Sequence, residues 1–268
     1  MPSPVLNRLF DLKGQVAVVT DSGALSSVDV APMLAEAGAT VVVADLDLQK
    51  TQALVAGILD AGGQAIAMPT DIESETGVRA LFDAVRDRLG RLDILVNCAG
   101  INANQPLLDT TLAQFDDLHS VNLRSTFLLM RESVRLMLEG GRGGRIVNVT
   151  TIGSLRAVLH GNAAYGATRT GVTGLTRSIA YDHAKDGIMA NLVLPGVIPG
   201  KTRFHDTTQA RLAAGGTLSG SGMDAERRLP QGMGNGADIA AAVLFFVSPA
   251  ARYITGQALA VDGGYLLT

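Results

Sequence analysis

The stretch QVAVVTDSGALSSVDVAPMLAEAGATVVVADLD, residues 15–47, carries the organisation of the whole chain. Two of its runs, VAVVT at 16–20 and TVVVA at 40–44, are apolar without alternation. Strands covered on both faces read this way, and such strands belong to parallel sheets. Between them, positions 28–37 follow a helical spacing, and Gly38 stands where a helix should stop. Strand, helix and strand in so short a span form a βαβ unit.

The same alternation continues outward. Further strands are expected at 65–69, 94–97, 145–150, 188–194 and 258–261. Helices are expected at 48–61, 73–89, 111–139, 163–185 and 237–248. Thr111 with Gln114 fits a capping box, Asn235 suits the start of the last helix, and Gly62 and Gly187 suit helix ends. Alternation from end to end predicts an α/β, doubly wound parallel sheet. No composition break divides it, so residues 1–268 are read as a single domain. The one irregular stretch, about 196–236, is rich in Gly, Thr and Ser and holds Lys201, Arg203, His205 and Asp206. It follows the carboxyl end of a strand, where open α/β sheets bind ligands, and is read as a lid or substrate loop.

Composition narrows the function classes. Across 268 residues, 22 Lys and Arg face 25 Asp and Glu, which leaves no basic footprint for nucleic acid. Hydrophobic residues at 47% with 18% charged exclude a disordered chain. A single Cys excludes a disulfide framework, and His119, His160, His183 and His205 lack ligand spacing, so no metal is expected. The N-terminus has no apolar signal core, and the longest apolar run, 239–247, falls far short of the ~20 residues that span a bilayer. A cytoplasmic protein with no membrane partner is expected.

The chemistry-bearing pair is Tyr165 with Arg169, in AAYGATRTGVTGLTRSIA at 163–180. Four residues apart, they share a helix face. A cation beside a phenol favours the phenolate, and a phenol so tuned serves as general acid or base. A plain surface Tyr–Arg pair has the same spacing.

The order of the other motifs gives the pair a context. VVT at 18–20, VVVADLD at 41–47, TDI at 70–72, NCAG at 97–100, VNL at 121–123, Tyr165, PGVI at 195–198 and the tail YITGQALAVDGGYL occur in that sequence. Together they resemble the short-chain dehydrogenase/reductase family over essentially the whole chain. The resemblance implies a seven-stranded Rossmann domain, an oligomer with residues 258–261 at a subunit interface, and NAD(H) or NADP(H) as cofactor. It also implies roles. Thr20 begins the cofactor loop. Asp45 would accept the adenosine ribose hydroxyls and favour NAD; it could instead cap the next helix. Asp71 and Ile72 would lie near the adenine, or Asp71 could cap the helix at 73. Asn97, Ala99 and Gly100 match a turn in which Cys98 replaces the second Asn. Asn122 would hold a water of the proton relay, or be a structural helix residue. Pro195, Gly196 and Ile198 match the cofactor segment after the sixth strand.

Other positions depart from the family pattern. After Thr20 the glycines of its loop are replaced by Asp21, Leu25 and Ser27, although Gly23 and Ala24 leave room for a shifted loop. The three glycines serve a tight turn, close backbone approach to pyrophosphate, and close helix packing. Losing a glycine conformation and adding a carboxylate near phosphates together cost about 3–6 kcal/mol. The family's catalytic Lys is Arg169, which keeps a charge but cannot release a proton. The family's Ser has no aligned match; Thr151 is the first choice and Ser154 the second. Its Thr after Pro-Gly-x-Ile-x is Gly200, with Thr202 nearby.

These departures favour a degenerate member in which NAD(H) binding is weak or absent. Such a chain would act as a weakly active or non-catalytic subunit, in a homo-oligomer or beside a family paralogue. The alternatives are an active NAD-dependent oxidoreductase that interconverts a secondary alcohol and a ketone, and a non-redox enzyme or binder of small molecules that reuses the cleft. In the active reading the site is Asn122, Thr151, Tyr165 and Arg169.

Overall fold

A computed structural model describes residues 4–20, 27–102, 105–158, 161–198 and 231–267. Its seven strands are β1 (Val16–Thr20), β2 (Thr40–Asp45), β3 (Gln64–Pro69), β4 (Ile94–Asn97), β5 (Gly144–Val149), β6 (Ile188–Pro195) and β7 (Ala258–Val261). They form one sheet in the order β3-β2-β1-β4-β5-β6-β7, with every pairing parallel. The doubly wound sheet is therefore as expected, and it has the Rossmann order with a seventh strand added. The helices are α1 (Pro4–Phe10), α2 (Ser27–Glu36), α3 (Leu48–Asp60), α4 (Glu75–Leu89), α5 (Leu112–His119), α6 (Ser125–Gly140), α7 (Ala163–His183) and α8 (Gly236–Val247).

Alternation along each strand explains the continuous apolar runs. Ala17, Val19, Val41, Val43 and Val96 face one core, closed by Val30 and Leu34 of α2 and Val243 and Phe246 of α8. Val16, Val18, Val42 and Leu95 face the other, closed by Leu81 and Phe82 of α4 and Leu128 and Leu129 of α6. Along the inner strands neither sheet face meets water, so neither side of those strands needs polar residues.

Three expectations change in detail. The helix expected at 111–139 is two helices joined by a π-helical turn, Ser120–Arg124. The insertion leaves no Gly or Pro mark, so sequence spacing runs straight through it. Neither Asp71 nor Asp45 is a helix cap. Ser74 caps α4 and Asp47 caps α3, each accepting a first-turn backbone N–H. The helix Pro4–Phe10 has no counterpart among the expected elements. The capping boxes of Thr111–Gln114 and Asn235–Asp238 are both formed.

Glu132 ties α6 to its surface. It is buried, and its two oxygens take Nε–H bonds from Arg131 at 3.1 Å and Arg135 at 2.9 Å. Arg131 also reaches Glu75 of α4 at 2.7 Å. Burial pushes the Glu132 carboxyl up, but hydrogen bonds from Arg135 and Arg131 outweigh it and hold the group below its ordinary 4.5. A depressed folded pKa contributes stability above the unfolded value, lost as pH falls through the folded one. Glu132→Gln is therefore expected to lower the melting temperature by about 2–6 °C at pH 7. That gap should close as pH falls below about 4. A gap unchanged between pH 7 and pH 3 in paired thermal scans would contradict this.

Candidate active site

Register places Thr20 beside Ala44 and Asn97, Asn97 beside Asn148, and Val149 beside Val193. The carboxyl ends of the central strands thus form one edge. The chain reverses its direction of growth between β1 and β4, and open sheets bind ligands at such a point.

Several matched residues build the frame of that edge. Thr20 is fully buried, and its Oγ1 accepts the backbone N–H groups of Cys98 at 3.2 Å and Ala99 at 3.3 Å. It clamps the end of β1 to the turn after β4. Asn97 donates from Nδ2 to Asn148 Oδ1 at 2.6 Å, and Asn148 donates to Thr176 Oγ1 at 2.8 Å. Gly196 donates its N–H to Val261 O, and a Cβ there would lie 2.7 Å from Asp262 Cα, so only glycine allows this approach. Pro195 ends β6, and Ile198 packs on the α2–α8 side of the core.

Asn122 sits in the π turn, wholly buried. Its Oδ1 accepts Ile101 N–H at 2.8 Å, and its Nδ2 donates to Ile101 O at 2.9 Å and Thr168 Oγ1 at 3.1 Å. Thr168 passes its own proton to Tyr165 O at 2.8 Å. One polar chain thus joins the segment after β4, the π turn and the first turn of α7. Sequence reasoning misses Thr168, Asn148 and Thr176. The available signal was spacing: Tyr165, Thr168, Val172 and Thr176 fall on one stripe of a helix, and a polar residue on a buried stripe needs a partner.

The choice between Thr151 and Ser154 is now physical. Ser154 Oγ donates to Thr151 O at 2.7 Å and so has spent its proton. Thr151 Oγ1 accepts Gly153 N–H at 3.2 Å and gives its proton to none of the described residues. A hydroxyl with its lone pair engaged and its proton free is a donor in waiting.

Tyr165 is half-buried, while Arg169, one turn on, is 6% exposed. The guanidinium carbon lies 5.4 Å from the centre of the Tyr165 ring, a cation–π distance. Nη1 donates to Ala99 O at 3.3 Å, and Nε is buried without a partner. The fork lies so close over Gly100 that a Cβ there would be 1.5 Å from Nη2. Gly100 is therefore the floor on which Arg169 rests.

On the far side, Asp45 ends β2 half-buried, and its Oδ1 accepts Asp47 N–H at 2.6 Å. Asp71 is exposed and accepts Glu73 N–H at 3.0 Å, while Ile72 packs against the α4–α6 side of the core. Asp21, Leu25, Gly200, Lys201, Thr202, Arg203, His160, His205 and most of the expected lid lie outside the described residues, as does the side chain of Ser27. Among the described residues no group of three His, Cys, Asp or Glu side chains converges, and no helix is long and apolar enough to cross a membrane.

Comparison with known proteins agrees with this geometry. Residues 27–266 match a family model described as enoyl-(acyl carrier protein) reductase. The 3beta-hydroxysteroid dehydrogenase of Mediterraneibacter gnavus is 33% identical over 273 residues, covering 96% of this chain and 95% of the relative. The 2-dehydro-3-deoxy-D-gluconate 5-dehydrogenase of Escherichia coli is 30% identical over 258 residues, covering 96% and 97%. A solved structure of a putative short-chain alcohol dehydrogenase from Sinorhizobium meliloti superposes with TM-score 0.85 at 30% identity, covering 97% of this chain and 99% of that one. With the sheet order, the strand-end geometry and near full-length relatives in agreement, the chain belongs to the short-chain dehydrogenase/reductase family.

Proposed function

We propose that this chain keeps the carbonyl-and-proton half of the dehydrogenase site and has an impaired dinucleotide half. It works as a weakly active or non-catalytic member of an oligomer, with copies of itself or with an intact paralogue, in the cytoplasm. The observation that carries the reading is the run after Thr20, where Asp21, Leu25 and Ser27 replace all three glycines of the cofactor loop. Arg169 supports it, since a group that cannot release a proton stands where the relay needs one.

The described residues fit the two ends of a dinucleotide. The Asp45 carboxylate at the tip of β2 suits a ribose diol, and its charge disfavours a 2′-phosphate. The buried, unpartnered Nε of Arg169 suits a second hydroxyl or other acceptor. When bound, NAD(H) would supply the hydride. The chain's own part would be a hydrogen bond from Thr151 to the carbonyl oxygen, proton exchange at the Tyr165 hydroxyl, and fixation of α7 by Asn122 through Thr168.

The expected dissociation constant for NADH is above about 1 mM, weaker than about −4 kcal/mol. Titration of NADH into the purified protein, followed by fluorescence and calorimetry, tests it. Micromolar binding would replace this reading with a second one, an active NAD-dependent oxidoreductase acting on secondary alcohols and ketones. The Thr151 proton, given to none of the described residues, and the Arg169–Tyr165 contact favour that second reading, as do the dehydrogenase names of the relatives.

A further inference from the structure

Arg169 is a buried cation with no anion beside it among the described residues. Among the described residues none of the ion pairs involves it, whereas Arg91 meets Asp93 at 2.7 Å, Arg131 meets Glu75 at 2.7 Å and Arg135 meets Glu132 at 2.9 Å. Those three guanidiniums are more than a third exposed, or nearly so, and still have carboxylate partners. Arg169, at 6% exposure, has a 3.3 Å bond to Ala99 O, the face of the Tyr165 ring, and a buried Nε with nothing to receive its proton. Burying a charge without a hydrogen-bonded counter-charge is strongly unfavourable, and the usual remedy is a partner of opposite sign.

The location says what kind of partner is missing. Arg169 lies on Gly100 at the end of β4, at the reversal point of the sheet where ligands enter. Thr151, whose proton goes to none of the described residues, begins a turn that packs on the helix carrying Arg169, because Thr170 of α7 bonds Ser154 O and Val172 packs with Ile152. A guanidinium fork matches the two oxygens of a carboxylate through parallel N–H bonds, in one plane. A neutral ligand would satisfy Nε and leave the charge unpaired.

We propose that the carboxyl edge of the sheet beside Gly100 takes a small ligand bearing a carboxylate next to a carbonyl or hydroxyl carbon, and that Arg169 is the residue that binds the carboxylate. Thr151 then donates to the neighbouring oxygen. The proposal rests on the reading that the carbonyl half of the site is kept. The fork must turn from Ala99 to receive the acid, and the long bond there offers little resistance.

The test uses the purified full chain without added cofactor. Pyruvate, 2-oxobutyrate and benzoylformate are titrated by calorimetry and thermal shift, with 2-butanone as the neutral counterpart of 2-oxobutyrate and inorganic phosphate as a different anion. At least one acid should bind saturably and raise the melting temperature, while butanone and phosphate do not. Arg169→Lys should weaken the acid at least ten-fold, and Arg169→Met should abolish binding without lowering the melting temperature of the unliganded protein. No saturable binding by any of the three acids, equal binding of butanone or phosphate, or unchanged affinity in a folded Arg169→Met protein would each overturn the proposal. If the Met variant does not fold, the Lys variant and the acid-against-butanone comparison decide the matter. NADH is titrated in parallel. Micromolar NADH affinity would refute the impaired-site reading and leave the carboxylate result standing.

Discussion

Asp21→Gly, Leu25→Gly and Ser27→Gly, introduced together, are expected to tighten NADH binding by about a hundred-fold to ten-thousand-fold. That is the equivalent of the roughly 3–6 kcal/mol assigned to their loss. Two mechanisms add. Glycine lets the backbone approach the pyrophosphate and take a left-handed conformation, and removal of Asp21 takes a carboxylate away from two phosphate charges. The gain has a cost. Ser27 is the first residue of α2, and glycines in or near a helix lose about 0.5–1 kcal/mol each in backbone entropy. The triple variant should therefore melt below the parent when unliganded and be raised by NADH through mass action. Adding Arg169→Lys should then change turnover more than affinity, because it restores a group that can release a proton and leaves the phosphate contacts alone. The measurements are NADH affinity by calorimetry, then hydride transfer across ketones, alcohols and 2-oxo acids. A triple variant that folds and binds NADH no better than the parent would show that the loop is not the defect.

Asn122→Ala should be the most damaging single change among the site residues. The side chain makes three hydrogen bonds in a fully buried place, two of them to the backbone of Ile101 and one to Thr168. Truncation leaves the N–H and C=O of Ile101 unpaired away from water, at about 1–3 kcal/mol for each stranded group. Taken as roughly 3 kcal/mol in all, the melting temperature falls by about 6–12 °C. The loss should not stay local, since Thr168 links Asn122 to the turn that carries Tyr165. Faster hydrogen exchange at Ile101 and in the first turn of α7, with the rest of the sheet unchanged, is the expected pattern. Thr168→Val should reproduce the α7 part alone. An Asn122→Ala protein that melts within about 2 °C of the parent, measured by calorimetry, would contradict this account.

The sheet was legible because its inner strands are covered on both sides, so VAVV at 16–19 and VVVA at 41–44 are apolar without alternation. Helix ends were legible where a side chain does the capping, as at Thr111 and Asn235. What could not be read depended on contacts between distant segments. The π turn at Ser120–Arg124 carries no local mark; Asn122 within it joins Ile101 on one side and Thr168 on the other. Asp45 and Asp71 each look like caps in sequence, but each bonds a backbone N–H two residues on, and the caps fall to Asp47 and Ser74. Spacing alone put Thr151 ahead of Ser154, but the physical reason, that the Ser154 proton is spent on Thr151 O, is visible only in the fold. The spacing of Tyr165 and Arg169 gave their shared face correctly, yet only the fold shows that the guanidinium rests on Gly100 and meets the phenol ring.

The sheet order also sets a timetable for synthesis. β1 borders β4, and Val16 N–H is completed by the carboxylate of Asp93, 77 residues later. Translation at about 5–20 residues per second leaves β1 waiting roughly 4–15 s for its central neighbour. During that interval only β2, β3 and their helices are available to cover it, and one edge of VAVVT stays open to pairing with another nascent chain. Parallel sheets with such distant partners fold slowly and pass through association-prone states. Yield in a heterologous host should therefore respond to growth temperature and holdase chaperones more strongly than the finished fold's stability suggests.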